Sequence, residues 1–315
     1  MSCSDDPPII PAVTEASTIE TAVSILKKGG LVAFATETVY GLGADAENAS
    51  AVKSIFRVKG RPERHPLIVH LGDSQDLGSW ASSIPDTALL LAESFWPGPL
   101  TLILKRSRRV IDEVSGGQDT VGLRVPAHDL ALKLLKAFGG GVAAPSANRF
   151  GRVSPTCADH VRLDLGTDVD YVLDGGTCGV GVESTIVDVS SGNPVILRPG
   201  GLSRERLEEL LRRKIEVRGV GPVRVSGQLE SHYAPRAAVL LVPPLEAVDR
   251  ANTLRVEGKR VELLGPEDVT APNLYASLRR ADESGTEWIV VPLPEEVGLG
   301  LAVADRLRKA AAPRA

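Results

Sequence analysis

Cysteine is scarce in this 315-residue chain. Cys3, Cys157 and Cys178 form no CxxC pair and no metal-ligand spacing, so a disulfide scaffold and a zinc module are both excluded, and free thiols suit a reducing cytosol. An excess of positive charge is missing too. Thirty-six Lys and Arg against 40 Asp and Glu leave a net charge of -4, which argues against a broad basic surface and against stable nucleic-acid binding. No window approaches the ~18 consecutive apolar residues of a membrane helix. The amino terminus carries Asp5, Asp6, Pro7 and Pro8 where a secretory signal would be basic and then apolar, so a soluble, cytoplasmic protein is expected. There is no GxxxxGK[ST] string, no GxGxxG after a strand, no solenoid-period repeat and no low-complexity tract. His70, His128, His160 and His232 form no convincing triad with a serine.

What is present is 43% hydrophobic and 24% charged, ordinary for a globular protein long enough for two domains. The stretch 31–71 organises the first part. Apolar runs at 31–35 and 67–71 read as buried strands around a helix at 48–58, with Asn48 as its cap and Gly60 as its stop. A capping-box spacing of Ser17 and Glu20 predicts a helix over 21–28 that ends at Gly29. Further helices are predicted at 86–96, 128–138, 158–165 and 203–214. Strands are predicted at 100–104, ahead of Arg124, after Gly141, and at 169–173, 185–189 and 195–197. Strict βαβ alternation is absent, so a large twisted mixed α/β (α+β-like) sheet over 15–214 is expected, with polar loops along one rim. Residues 215–236 read as a motif-bearing linker. Strands at 239–242, 261–264 and 288–291 alternate with helices and predict a small Rossmann-like parallel α/β domain over 237–315.

Polar residues collect at the ends of these elements. Thr36, Glu37, Thr38 and Tyr40 follow the first strand; Lys59, Arg61, Arg64 and His65 lie before the second. Thr120 with Arg124, Ser146 with Asn148, Ser184 after Glu183, and Arg198 in LRPG sit at or beside other strand ends, where open sheets bind ligands. A lone Ser or Asn there is more often a turn residue than a ligand contact. A guanidinium beside buried strands needs an acceptor, which a ligand carboxylate or phosphate supplies bidentately.

The combination is more specific than its parts. TETVYGLG, KGR, PLIVHL, APSAN, ESTIVD and LRPG, in that order, resemble the YrdC-like family of threonylcarbamoyl-AMP synthases, and SGQLESHYAPR resembles the linker of its two-domain branch. The resemblance implies an enzyme that joins L-threonine, bicarbonate and ATP into L-threonylcarbamoyl-AMP, diphosphate and water, supplying a downstream tRNA threonylcarbamoyl-transferase machinery. It implies a threonine site at Thr36, His70, Arg124, Ala144 and Ser184. It implies nucleotide contacts at Lys59, Arg61, His65, Thr120, Ser146, Asn148, Ser154, Arg198 and Tyr233, with Lys59 and Arg61 as the catalytic pair. Mg2+ would arrive on the ATP phosphates, with no protein metal cage. The linker would close over the nucleotide as a lid. The alternative from another class is a non-catalytic RNA-binding protein of the same fold, motivated by the basic KGR segment.

Overall fold

Asn48 begins the first fully described helix as its side chain predicts. Its Oδ1 accepts from the backbone N–H of Ser50 and Ala51, a cap worth about 1 kcal/mol, and Gly60 ends the helix Ala49–Lys59 in the left-handed region at φ 64°. The Ser17 reading is corrected. The computed structural model, which describes residues 15–218, 223–227 and 231–313, already has helix at Glu15–Lys27, so Ser17 lies inside it and its carbonyl accepts the Thr21 hydroxyl. Gly29 does take positive φ beyond that helix.

Among the described residues eleven strands build one mixed sheet: β1 (Val32–Phe34), β2 (Gly41–Asp45), β3 (Ile68–His70), β4 (Ala81–Ser83), β5 (Leu100–Arg106), β6 (Thr120–Arg124), β7 (Val142–Ala143), β8 (Tyr171–Leu173), β9 (Thr185–Asp188), β10 (Val195–Arg198) and β11 (Glu216–Val217). Their order is β11-β10-β9-β5-β6-β3-β7-β2-β1-β8, with β4 on β5. β2 is not among the strands that the sequence predicts, and it escapes a propensity reading because two of its five residues are glycine. The packing explains Gly43: a Cβ there would stand 2.8 Å from Val142 Cγ1 and 2.9 Å from Phe34 Cε1. The linker is also corrected at its start, since Glu216 and Val217 pair in parallel with β10 and extend the large sheet.

The second sheet is small and parallel, as expected: β12 (Ala238–Val242), β13 (Val261–Leu263) and β14 (Trp288–Pro292), in the order β12-β14-β13. One face packs Val242 and Val290 against Ala247, Ala251 and Leu254 of the helix Ala247–Val256. The other face, under the helices Leu274–Glu283 and Gly300–Ala311, shares a single apolar cluster with Val39, Val153 and Val182 of the first part. Burying such side chains contributes roughly 1.5–3 kcal/mol each, so this junction is a core and not a wet seam.

Sheet register delivers the site. β3 and β6 are parallel neighbours that place His70 beside Arg124, both at the carboxyl ends of their strands. Ala144 follows β7, Thr36 follows β1, and Ser184 and Arg198 flank the antiparallel pair of β9 and β10. Segments far apart in sequence therefore end along one rim.

Candidate active site

One cavity of about 50 Å³ opens at that rim, and its wall includes Thr36, Arg61, His70, Arg124, Ala144, Ser146, Ser184, Arg198 and Tyr233. At one end Thr36 forms a tight hydroxyl turn. Its Oγ1 donates to Val39 O at 2.6 Å and lies 2.8 Å from Thr38 Oγ1. Arg124 Nη1 donates to Thr38 Oγ1 at 2.9 Å and its Nε to Gly98 O at 3.2 Å, which fixes the guanidinium plane. Glu37 Oε2 is 2.7 Å from Arg124 Nη2, yet off the hydrogen-bonding direction. Both Glu37 oxygens and that nitrogen are buried with no hydrogen-bond partner. Glu37 was visible in the sequence only as one polar residue among several; its pairing with a residue 87 positions on needs the fold.

His70 is buried with Nδ1 unpartnered, and the Phe34 ring meets it edge-on at 6.0 Å. Burial first, and the Arg124 charge second, push its pKa down to about 3, so the ring is neutral at physiological pH. Ser184 Oγ is 2.7 Å from Thr101 Oγ1 and accepts from Arg198 Nη2 at 3.2 Å. Arg198 also donates to Ser184 O and, through Nη1, to Ser226 O at 3.1 Å.

The cationic end is buried. Arg61 is 6% exposed; its Nη2 donates to Pro66 O at 3.0 Å and to Ser226 Oγ at 3.1 Å, and its Nε has no partner. Burial draws its pKa down to about 10, still protonated at neutral pH. Lys59, 3% exposed, stands behind the wall. Its Nζ is 2.5 Å from the carbonyls of Ser146 and Asn148, so it ties down the loop that presents Ser146, and burial lowers its pKa well below the usual lysine range.

The remaining expected contacts lie outside this wall. Asn148 turns its Nδ2 to the carbonyls of Arg149 and Arg152, with Oδ1 buried and unpartnered. His65 packs edge-on against Phe150 at 5.6 Å. Ser154 Oγ donates to Glu183 Oε1 at 2.6 Å. Thr120 lines a separate small hollow of about 10 Å³ beneath Arg224, Val225 and Ser226.

The linker supplies the roof. Ser226, Gly227, His232 and Tyr233 complete the cavity wall. Gln118 grips the linker by accepting from Arg224 N at 2.7 Å and donating to Arg224 O at 3.0 Å. Gly227 sits at φ 85°, and a Cβ on it would lie 2.3 Å from the Tyr233 hydroxyl, so glycine is required there. Residues 228–230 of the linker motif lie outside the described residues.

Glu183, unremarkable in the sequence, is a hub. Besides Ser154 it accepts from the Tyr275 hydroxyl at 2.8 Å and from Arg306 Nε at 2.7 Å, both from the second sheet's helices. Burial would raise its pKa, but Arg306 and Arg198 outweigh that and bring it down to about 2. Removing one partner of a buried pair of this kind costs about 3–5 kcal/mol.

Comparison with known proteins finds relatives along both parts of the chain. Residues 24–200 match the Sua5/YciO/YrdC family model, described as telomere recombination, and residues 202–312 match the model for the threonylcarbamoyl-AMP synthase C-terminal domain. The chain is 41% identical to the threonylcarbamoyl-AMP synthase of Pyrococcus abyssi, over 94% of each chain. It is 37% identical to that of Bacillus subtilis, over 94% of this chain and 93% of the relative. The crystal structure of P. abyssi Sua5 complexed with L-threonine superposes with a TM-score of 0.89 at 41% identity, covering 95% of both chains. Matched by family models along both of its parts, and by full-length relatives, this chain belongs to the threonylcarbamoyl-AMP synthase family.

Proposed function

We propose that this protein is an L-threonylcarbamoyladenylate synthase, a nucleotidyltransferase converting L-threonine, bicarbonate and ATP into L-threonylcarbamoyl-AMP, diphosphate and water for the threonylcarbamoyl modification of tRNA. The observation that carries the reading is one cavity with two ends. Arg124, Thr36, neutral His70 and Ser184 suit a small hydroxylated amino acid, and Arg61 with Arg198 suits phosphate.

The chemistry follows from those groups. The threonine amine adds to bicarbonate and water leaves, giving a carbamate; its oxygen attacks the α-phosphorus and diphosphate departs. Negative charge builds on phosphoryl oxygens throughout, so catalysis is mainly positioning and charge stabilisation. Arg124, fixed by Gly98 and Thr38 and with Nη2 ion-paired but not hydrogen-bonded to Glu37, is set to clamp the threonine carboxylate. His70 Nδ1 and the Thr36 and Ser184 hydroxyls, with backbone at Ala144, orient the rest. Arg61 and Arg198 take the phosphates, and Lys59 orders the Ser146 loop from behind. Asn148, Ser154, Thr120 and His65 are proposed as nucleotide contacts that come into play once ATP is seated.

Mg2+ is proposed to accompany ATP and to neutralise phosphate charge. The donor set fits an ion held by phosphate oxygens and water, because Glu183, the carboxylate of the cavity wall, is already committed to Ser154, Tyr275 and Arg306. The linker is proposed as a lid, supported by Ser226, Gly227, His232 and Tyr233 in the wall. It would keep water from a labile carbamate and adenylate. Lys59 and Arg61 are too deeply buried to meet an RNA backbone, which disfavours the RNA-binding alternative. No described helix is long and apolar enough to cross a membrane, and a cytoplasmic setting is proposed, with a downstream transferase as recipient of the product.

The test is diphosphate release and adenylate formation by purified protein. Both should require threonine, bicarbonate and Mg2+ together. Diphosphate release of equal size without threonine would overturn the reading.

A further inference from the structure

The second sheet and its helices put no side chain into the cavity wall, yet one of their residues reaches the group behind it. Arg306, on the helix Gly300–Ala311, is fully buried. Its Nε donates to Glu183 Oε2 at 2.7 Å, its Nη1 pairs with Asp305, and its guanidinium lies 5.0 Å from the centre of the Tyr233 ring. Tyr275, from the helix Leu274–Glu283, donates to the same carboxylate.

Glu183 is the carboxylate in a wall that also holds Arg61, Arg124 and Arg198, and it directly precedes Ser184. Arg198 commits four of its five N–H donors to Ser184 and to Ser226 O, which leaves one on Nη1 for a ligand, and among the described residues it makes no ion pair with Glu183. A free carboxylate in that wall would compete with a phosphate for the guanidinium of Arg198, since both are anions that accept bidentately from the same planar cation. Arg306, Tyr275 and Ser154 together hold the carboxylate elsewhere.

Resting on the reading above, we propose that Arg306 is a positioning residue. It holds Glu183 on the second sheet's side of the cavity and so keeps Arg198 open to the anionic end of the nucleotide. The second domain thereby sets affinity for ATP more than for threonine.

The test uses the full chain and measures ATP and threonine dissociation constants by calorimetry, with KM values and melting temperatures alongside. Arg306→Met should weaken ATP binding by about tenfold or more while threonine affinity changes by less than about threefold, because only the phosphate end loses its cation. Adding Glu183→Gln to Arg306→Met should return ATP affinity most of the way, since the competing charge is gone. A purely structural role predicts that both substrates weaken in step in the single variant and recover in step in the double, because Glu183→Gln also relieves the unpaired buried charge; that result overturns the proposal. Should Arg306→Met fail to fold, Arg306→Lys with and without Glu183→Gln makes the same comparison. Absence of threonine-dependent diphosphate release in the wild type would defeat the functional reading, whereas the ATP-binding comparison reads the role of Arg306 without turnover.

Discussion

Arg61 Nη2 donates to the Ser226 hydroxyl at 3.1 Å, which ties a cation of the first helix-strand unit to a linker residue 165 positions later. Linker and the cationic end of the cavity are therefore one structure, and the Pro66 carbonyl serves both residues.

The two partners should respond differently to substitution. Arg61→Ala removes the charge and should lower threonine-dependent diphosphate release by about a hundredfold or more, the scale for losing a transition-state donor. Ser226→Ala leaves Arg61 its bond to Pro66 and should cost less than about tenfold, the worth of one neutral hydrogen bond. Steady-state rates of the two variants check the order; equal losses would count against it.

At the other end, Arg124→Met should raise the threonine dissociation constant by about a hundredfold with little change for ATP, because the clamp it removes is charge-assisted. Arg124→Lys should not rescue it, since a lysine cannot reproduce the three directions now fixed by Gly98, Thr38 and Glu37. Titration with each substrate separately measures both.

The roof makes a steric prediction. In Gly227→Ala the new Cβ meets the Tyr233 hydroxyl, and the positive φ adds strain. Turnover should fall and the adenylate should hydrolyse sooner. Tyr233→Phe on top of it removes the clashing oxygen, leaving the ring carbon 3.4 Å away, and should recover part of the lost product lifetime, which timed chromatography of the adenylate would follow.

Acid should loosen the fold before the carboxylates titrate. Burial, then Arg124, depresses His70 to about 3; burial, then Arg279, depresses His160 to about 4; burial dominates the downward shift of His232. Between those values and about pH 6.5 the unfolded chain binds protons that the native chain does not. Stability is thus complete above about pH 6.5 and falls with acidification, by up to about 1.4 kcal/mol per pH unit for a fully buried ring such as His70. Urea midpoints from pH 7.5 to 4.5 should show the decline, and His70→Gln should make it shallower, with His160 and His232 accounting for what remains.

How far the sequence reached can be judged from these same residues. The Asn48 cap, the Gly60 stop and the helix Ala158–Leu165 follow from side chains that act on their own neighbourhood, and such chemistry is legible in one dimension. β2 was not, because the reason for Gly43 is Phe34 and Val142 on adjacent strands. The convergence of Thr36, His70, Arg124, Ser184 and Arg198 could be expected from strand ends and from family resemblance together. Glu37 facing Arg124, and Glu183 meeting Arg306 across 123 positions, are tertiary pairs of commonplace residue types, and nothing local distinguishes them.

Val39, Val153 and Val182 share one apolar cluster with the helices that carry Tyr275 and Arg306. A protease nick between residues 218 and 223 would for that reason leave two fragments clinging together as one particle. The two halves should also melt in concert, because that one cluster draws side chains from both.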